Sequence, residues 1–179
     1  MSMTLSALVA FSAVASAPTS GLNVGQRIAA YYPTHVVGSL RGTQVCFPCT
    51  YKSAPQIQVF TNNEKPENIN AIARHLDGLM RANPGFYAMV VVVKPQTDHA
   101  KKTETLRGLF SDLRPANVTV SLLDPKDEAI KAYGINLDRA VTNTVIGYEG
   151  WMVQGTAVNL QATPEGMKAL DAMVAKMMK

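Results

Sequence analysis

Cysteine and tryptophan are nearly absent from this chain of 179 residues, which holds two of the first and one of the second. Charged residues make up only 17% of it and aromatic residues 7%. Two thiols exclude a four-cysteine zinc site. The small positive excess, net +4, is spread over Arg27, Arg41, Lys52, Arg74, Lys94, Arg107 and others, and no stretch concentrates it among aromatic residues. Nucleic acid is therefore not an expected partner. Beyond the N-terminus no apolar run approaches the ~18 uncharged residues of a membrane-spanning helix, so no stable membrane insertion is expected. There is no repeat period, no low-complexity tract, no P-loop, no dinucleotide-binding glycine pattern, no Ser-His-Asp spacing and no paired-carboxylate signature. No cofactor is implied.

What is present is enough apolar material, 47% of residues, for one domain with a good core. Residues 3–17, MTLSALVAFSAVASA, are small and apolar, with no charge before Arg27. Their length fits the apolar part of an export signal, and Ala13-Val14-Ala15 or Ala15-Ser16-Ala17 offers a small-x-small cleavage site. The alternative is an N-terminal helix of the domain. The expected division is an export segment over 1–17, an extension over 18–55, and a core over 56–179 that forms one domain with 18–55. The expected location is periplasmic or secreted, where a disulfide persists.

The core reads as alternating strands and helices. QIQVFTN (56–62) alternates, and FYAMVVVVK (86–94) has the unbroken apolar run of a central parallel strand. VTVSLLD (118–124) is a third strand. Between them, residues 66–83 place Ile69, Ile72, Leu76, Leu79 and Met80 on one helical face, and 100–113 do the same with Leu106, Leu109, Phe110 and Leu113. Asp124-Pro125 opens a short helix that Gly134 closes. Residues 142–158 read as a hairpin turning at Glu149-Gly150, and Thr163-Pro164 caps a last helix. The expectation is an α/β fold, a mainly parallel central sheet with a C-terminal hairpin and helices on both faces.

The chemistry concentrates in GTQVCFPCTYKSAPQIQVF, residues 42–60. Cys46-Phe47-Pro48-Cys49 has the form of a redox dithiol, and the residues from Cys49 to Pro55 are expected to form one helical turn facing Cys46. Lys52 and Arg41 add positive potential that favours thiolate. On this reading Cys46 is the exposed, attacking sulfur and Cys49 the resolving one. The competing readings are a permanent short-loop disulfide and a metal site. His35, eleven residues upstream of Cys46, would give a third soft-to-borderline ligand, but His75 and His99 show no pairing pattern, so no metal is assigned. Met167, Met173 and Met177 fall on the apolar face of the last helix and are expected in the core.

Two segments resemble a known family. VSLLDPKDEAIKAYGI (120–135) resembles the peroxiredoxin stretch in which an apolar pair and Asp precede a short helix ending in Tyr-Gly-Val. RAVTNTVIGYEGWMV (139–153) is similar to that family's Arg-Ala-Thr-strand-turn-strand. The 42–60 stretch also resembles secreted bacterial proteins that carry a Cys-x-x-Cys ahead of a thioredoxin-like core. The resemblance implies a thioredoxin-like fold over roughly residues 24 to 160 and a protein thiol or disulfide as partner. It also implies a thiol after the first core strand, yet Thr61-Asn62-Asn63-Glu64-Lys65-Pro66 holds none. A parallel crossover needs a dozen or more residues, and Thr50–Pro55 supplies six, so the dithiol lies one loop upstream of the family's site. Thr142 takes the position that lines the thioredoxin substrate groove, and it is the third supporting residue beside Arg41 and Lys52. Three functions stay open: thiol-disulfide exchange through Cys46 and Cys49, a non-catalytic binding scaffold with a structural disulfide, and a peroxidase. The oligomeric state is not legible.

Overall fold

The computed structural model describes residues 18–95, 97–111 and 117–179; the expected export segment, 1–17, lies outside the described residues. The elements run β1 (Thr34–Val37), α1 (Phe47–Tyr51), β2 (Gln56–Thr61), α2 (Pro66–Ala82), β3 (Tyr87–Val93), α3 (His99–Leu109), β4 (Thr119–Leu123), α4 (Glu128–Ala132), β5 (Asn143–Glu149), β6 (Met152–Val158) and α5 (Pro164–Met177).

The strands form one six-stranded sheet in the order β1-β4-β3-β2-β5-β6. β3 sits between two parallel neighbours, and all but the first of its residues are buried, which its unbroken Val run anticipates. The sheet is mixed, however. β1, β5 and β6 all pair antiparallel, so parallel pairing is confined to β2, β3 and β4. The parallel centre and the antiparallel hairpin are as expected, and the antiparallel strand at the other edge is an addition to them. That strand is β1, too short to announce itself in the sequence, which joins β4.

Helices cover both faces. α2, α3 and α5 share one core with Ile57, Val59, Val90, Val120 and Val145; α1, α4 and the N-terminal segment share the other with Phe60, Met89, Val91, Ile146 and Tyr148. On α2, Ile69, Ile72, Ala73 and Leu76 are buried at the 3–4 spacing read from the sequence. Each fully buried Ile or Leu contributes about 1.5–3 kcal/mol. α5 starts at Thr163, whose hydroxyl accepts the Gly166 N–H, and Met177 is buried against the same core while Met167 and Met173 pack partly buried beside it. The hairpin turns through Gly150 and Trp151, both at positive φ (56° and 70°), as a tight two-residue connection requires.

Residues 18–55 pack onto this core. Ile28, Tyr31 and Phe47 are buried in the second cluster. The same segment covers both sheet edges. Residues 42–43 bond along β1 (His35 N–H to Thr43 O, 3.0 Å; Gly42 N–H to His35 O, 2.9 Å), and residues 25–28 bond along β6 (Val153 N–H to Gln26 O, 2.9 Å; Ile28 N–H to Trp151 O, 3.0 Å). These bonds shorten the stretch of free ladder at each edge.

Candidate active site

α1 is a single helical turn that carries the chain across the second face toward β2. Cys46 is its N-cap and Pro48 lies in its first turn, where the missing N–H costs nothing. The turn runs from Phe47 to Tyr51, two residues earlier than the segment expected from the sequence. Phe47 is 1% exposed and meets Tyr51 edge-on at 4.8 Å, and Tyr51 stacks on Tyr87 at 3.7 Å. Behind the turn, the Gln56 side-chain amide donates to the carbonyls of Lys52 and Ala54, 3.2 Å each.

Cys46 and Cys49 are joined as a disulfide with Cα atoms 5.2 Å apart. Their environments are unequal. Cys46 is 3% exposed, and its sulfur accepts the Cys49 N–H at 3.1 Å; Cys49 is exposed. This reverses the expected order, in which Cys46 was the accessible sulfur. The reason is that Phe47 anchors the turn in the core and draws the preceding residue in with it, while Cys49, three residues on, stays exposed.

The supporting residues also fall differently. Lys52 is exposed at the C-terminal end of α1, at φ 54°, away from the end that holds the Cys46 sulfur. Arg41 is exposed in the turn after β1, where its N–H bonds Gly38 O at 3.1 Å. Among the described residues, neither cation hydrogen-bonds a sulfur. Thr142 is not beside the dithiol at all. α1 leads into the start of β2, whereas Asn143 pairs with Thr61 at its end, so Thr142 lies beyond the far end of that strand. There the Thr142 hydroxyl donates to the Glu64 carboxylate at 2.8 Å, and the Asn143 side-chain amide donates to the same oxygen. The pocket beside them is lined by Asn62, Val141 and Thr142, and Asn62 Oδ1 is buried with no hydrogen-bond partner among the described residues.

One residue the sequence reading set aside lies against the dithiol turn. His35 on β1 is 1% exposed; its Nε2 is 2.8 Å from Val45 O, and its Nδ1 is 2.7 Å from Ser121 Oγ on β4. A carbonyl only accepts, so Nε2 carries a proton. Burial lowers the His35 pKa, opposed by the bond to Val45. Val45 is the residue before Cys46, so the imidazole holds the peptide that carries the buried sulfur. The signal that could have found it was position: a histidine in a short apolar Thr-His-Val-Val run. No group of three or more metal-binding side chains is found among the described residues.

No family model matches the chain, and no curated protein matches it in sequence. Solved structures do match. A Chlorobium tepidum protein of the thiol:disulfide interchange class (DsbE) superposes with a TM-score of 0.64 at 16% identity, over 88% of this chain and 99% of that one. A secreted disulfide oxidoreductase of Mycobacterium tuberculosis gives 0.54 at 16%, over 81% and 94%. A thiol peroxidase from Chromobacterium violaceum gives 0.56 at 12%, over 92% and 94%. By its fold, this chain is thioredoxin-like.

Proposed function

We propose that the protein is an extracytoplasmic thiol-disulfide exchange protein whose working group is the Cys46–Cys49 pair. The carrying observation is the asymmetry of the two cysteines: Cys49 is exposed, whereas Cys46 is buried and its sulfur already accepts an N–H. A thiolate of a partner protein attacks Cys49 Sγ, the Cys46–Cys49 bond breaks, and its electron pair leaves on Cys46 Sγ. That thiolate is held by the Cys49 N–H at the start of the turn, which makes it a good leaving group. The partner is then linked to Cys49. A second thiolate of the same partner attacks the linked sulfur, leaves the partner with a disulfide and frees Cys49 as thiolate. Two electrons have moved from partner to protein, and the two thiol protons go to solvent or to the reduced pair. The reverse sequence reduces a partner disulfide.

The location rests on residues 3–17, on the Cys46–Cys49 disulfide, which suits an oxidising compartment, and on the secreted oxidoreductase among the structural neighbours. No helix among the described residues is long and apolar enough to cross a membrane. The division into an export segment over 1–17 and one domain over 18–179 belongs to the same proposal.

The reduction potential tests it. Catalytic pairs lie at roughly −270 to −120 mV and structural disulfides of secreted proteins below about −300 mV. A value in the first range is expected, together with a mixed disulfide that accumulates on Cys49 in the Cys46→Ser variant. A value in the second range would leave the scaffold reading ahead. Peroxide turnover with a dithiol reductant would favour the peroxidase, which has no thiol at residues 61–66.

A further inference from the structure

The histidine behind the dithiol has a complete set of hydrogen-bond partners in either protonation state. When it is neutral, Nε2–H donates to Val45 O and Nδ1 accepts from the Ser121 hydroxyl. When it is charged, Nδ1–H donates to Ser121 Oγ instead, and the Ser121 hydroxyl turns its proton to Met89 Sδ, 3.2 Å away. Nothing buried is orphaned by the change, so the usual cost of charging a buried histidine is partly offset. What is missing in the disulfide form is a reason to charge. Reduction supplies one, because the electron pair arrives on Cys46, the residue that follows the peptide His35 already holds.

We propose that His35 is the positioning residue and redox-linked proton acceptor of the dithiol: it fixes the Val45–Cys46 peptide and takes up a proton when Cys46 becomes a thiolate. This deepens the exchange reading and rests on it for its purpose, though not for its test. The step balances. Reduction delivers two electrons to the disulfide and requires two protons; Cys49 takes one as a thiol, and the other goes to His35 instead of to the buried sulfur. When the pair is reoxidised, both protons return to solvent or to the partner. The groups bonded to the imidazole are Ser121 of β4, itself bonded to Met89 of β3, and Val45, the residue before Cys46. α3 brings Arg107, which shares a cleft of about 510 Å³ with His35 and lies 3.9 Å from Glu104. Neither of these charges changes with redox state; the one that does is on Cys46.

The test is a titration of His35 by imidazole nitrogen resonances in the full chain. It is run on the disulfide form and on the form reduced with a phosphine, so it does not depend on any partner protein. The expected result is a pKa below the ordinary ~6.5 in the disulfide form and a rise of about one unit or more on reduction, the usual effect of a nearby opposite charge. His35→Gln keeps a donor toward Val45 O but takes up no proton. In that variant the Cys46 thiolate, followed by ultraviolet absorbance, is expected to need about one pH unit more to form, a tenfold lower thiolate fraction at a given pH below its pKa. Ser121→Ala keeps the imidazole, removes the acceptor for Nδ1–H, and is expected to halve the rise or more. Identical His35 titrations in the two redox forms overturn the proposal, as does a His35→Gln thiolate that titrates like the wild type. If instead the histidine responds to reduction while no partner dithiol exchanges, the linkage stands and the exchange function fails.

Discussion

Gln58, at 0% exposure on β2, is the centre of a buried polar chain that ends under the dithiol turn. Its Oε1 accepts the Tyr31 hydroxyl at 2.6 Å, and its amide nitrogen donates to the Tyr148 oxygen. Tyr148 in turn donates to Gln56 Oε1 at 2.9 Å, and Gln56 holds the carbonyls of Lys52 and Ala54. Burial raises the Tyr31 and Tyr148 pKa well above 10, so both phenols stay protonated donors through the alkaline range. Gln58→Leu keeps roughly the volume but leaves the Tyr31 hydroxyl buried without an acceptor, a cost of about 1–3 kcal/mol. Tyr148 loses its donor as well but keeps Gln56, so about 2–3 kcal/mol in all is expected. Tyr31→Phe alone leaves Gln58 Oε1 unpaired, at about 1–2 kcal/mol by the same rule. The double variant removes both partners, so its cost is expected to fall short of the sum of the singles by about 1–2 kcal/mol. Urea unfolding followed by circular dichroism reads all four proteins; each kcal/mol moves the midpoint by roughly 0.3–1 M. Costs that add to within about 0.5 kcal/mol would refute the chain of bonds as an energetic unit.

Other consequences are as specific. The His35 pKa is lowered in the folded disulfide form, so below ~6.5 the unfolded chain binds the extra proton. Stability from this group is therefore present above pH ~6.5 and lost as pH falls through the folded value; urea midpoints of the oxidised protein are expected to drop over that window, and His35→Gln to flatten the drop. Thr163→Ala removes the acceptor for the Gly166 N–H and is expected to cost about 1 kcal/mol, measured as a lower midpoint with unchanged dithiol reactivity. Asn63→Ala, in the exposed loop beyond β2, is expected to leave dithiol exchange unchanged; a large loss would join that loop to the dithiol after all. Glu64→Ala leaves the Thr142 hydroxyl and one Asn143 donor to find new partners and is expected to cost about 1–3 kcal/mol, again without effect on exchange.

Much of the fold was legible because its signals are local and repeated. The Val run of β3, the 3–4 spacing of α2, the Thr163-Pro164 start of α5 and the Glu149-Gly150 turn each declare an element without tertiary help. β1 was not legible: four residues carry too little periodicity, and its strand character comes from β4 on one side and residues 42–43 on the other. The dithiol was plain in the sequence, but which sulfur lies outside was not. Sequence position and nearby lysine and arginine favoured Cys46, whereas the outcome turned on Phe47, whose burial over β2 and β3 pulls its neighbour inward. His35 was read in the sequence only as a possible third ligand of a metal site that was not assigned; its bond to the peptide before Cys46 joins residues ten apart in the chain and depends on how the loop after β1 doubles back. Thr142 was misplaced by analogy, since the groove it lines in thioredoxins belongs to the far end of β2.

The remaining question is whether the sulfur–sulfur bond is there to hold the turn. A four-residue loop closed by a disulfide gains about 2 kcal/mol by the loop-entropy relation. The turn has other restraints. Phe47 is buried, Tyr51 stacks on Tyr87, His35 holds Val45 O, and Gln56 holds Lys52 O and Ala54 O. Burying Phe47 alone contributes about as much as the disulfide does. Each of these contacts survives reduction, since none uses a sulfur. A clip that duplicates what packing and hydrogen bonds already secure adds little to a fold, whereas a turn that keeps its shape when the bond opens is what repeated exchange requires. The far end of β2 shows the opposite arrangement. There Glu64 is bonded by Thr142 and Asn143 and residues 61–66 hold no thiol, so the place where the resemblance expects the chemistry has no sulfur to carry it. Of the two places, only the dithiol turn offers an exposed residue with a bond to trade.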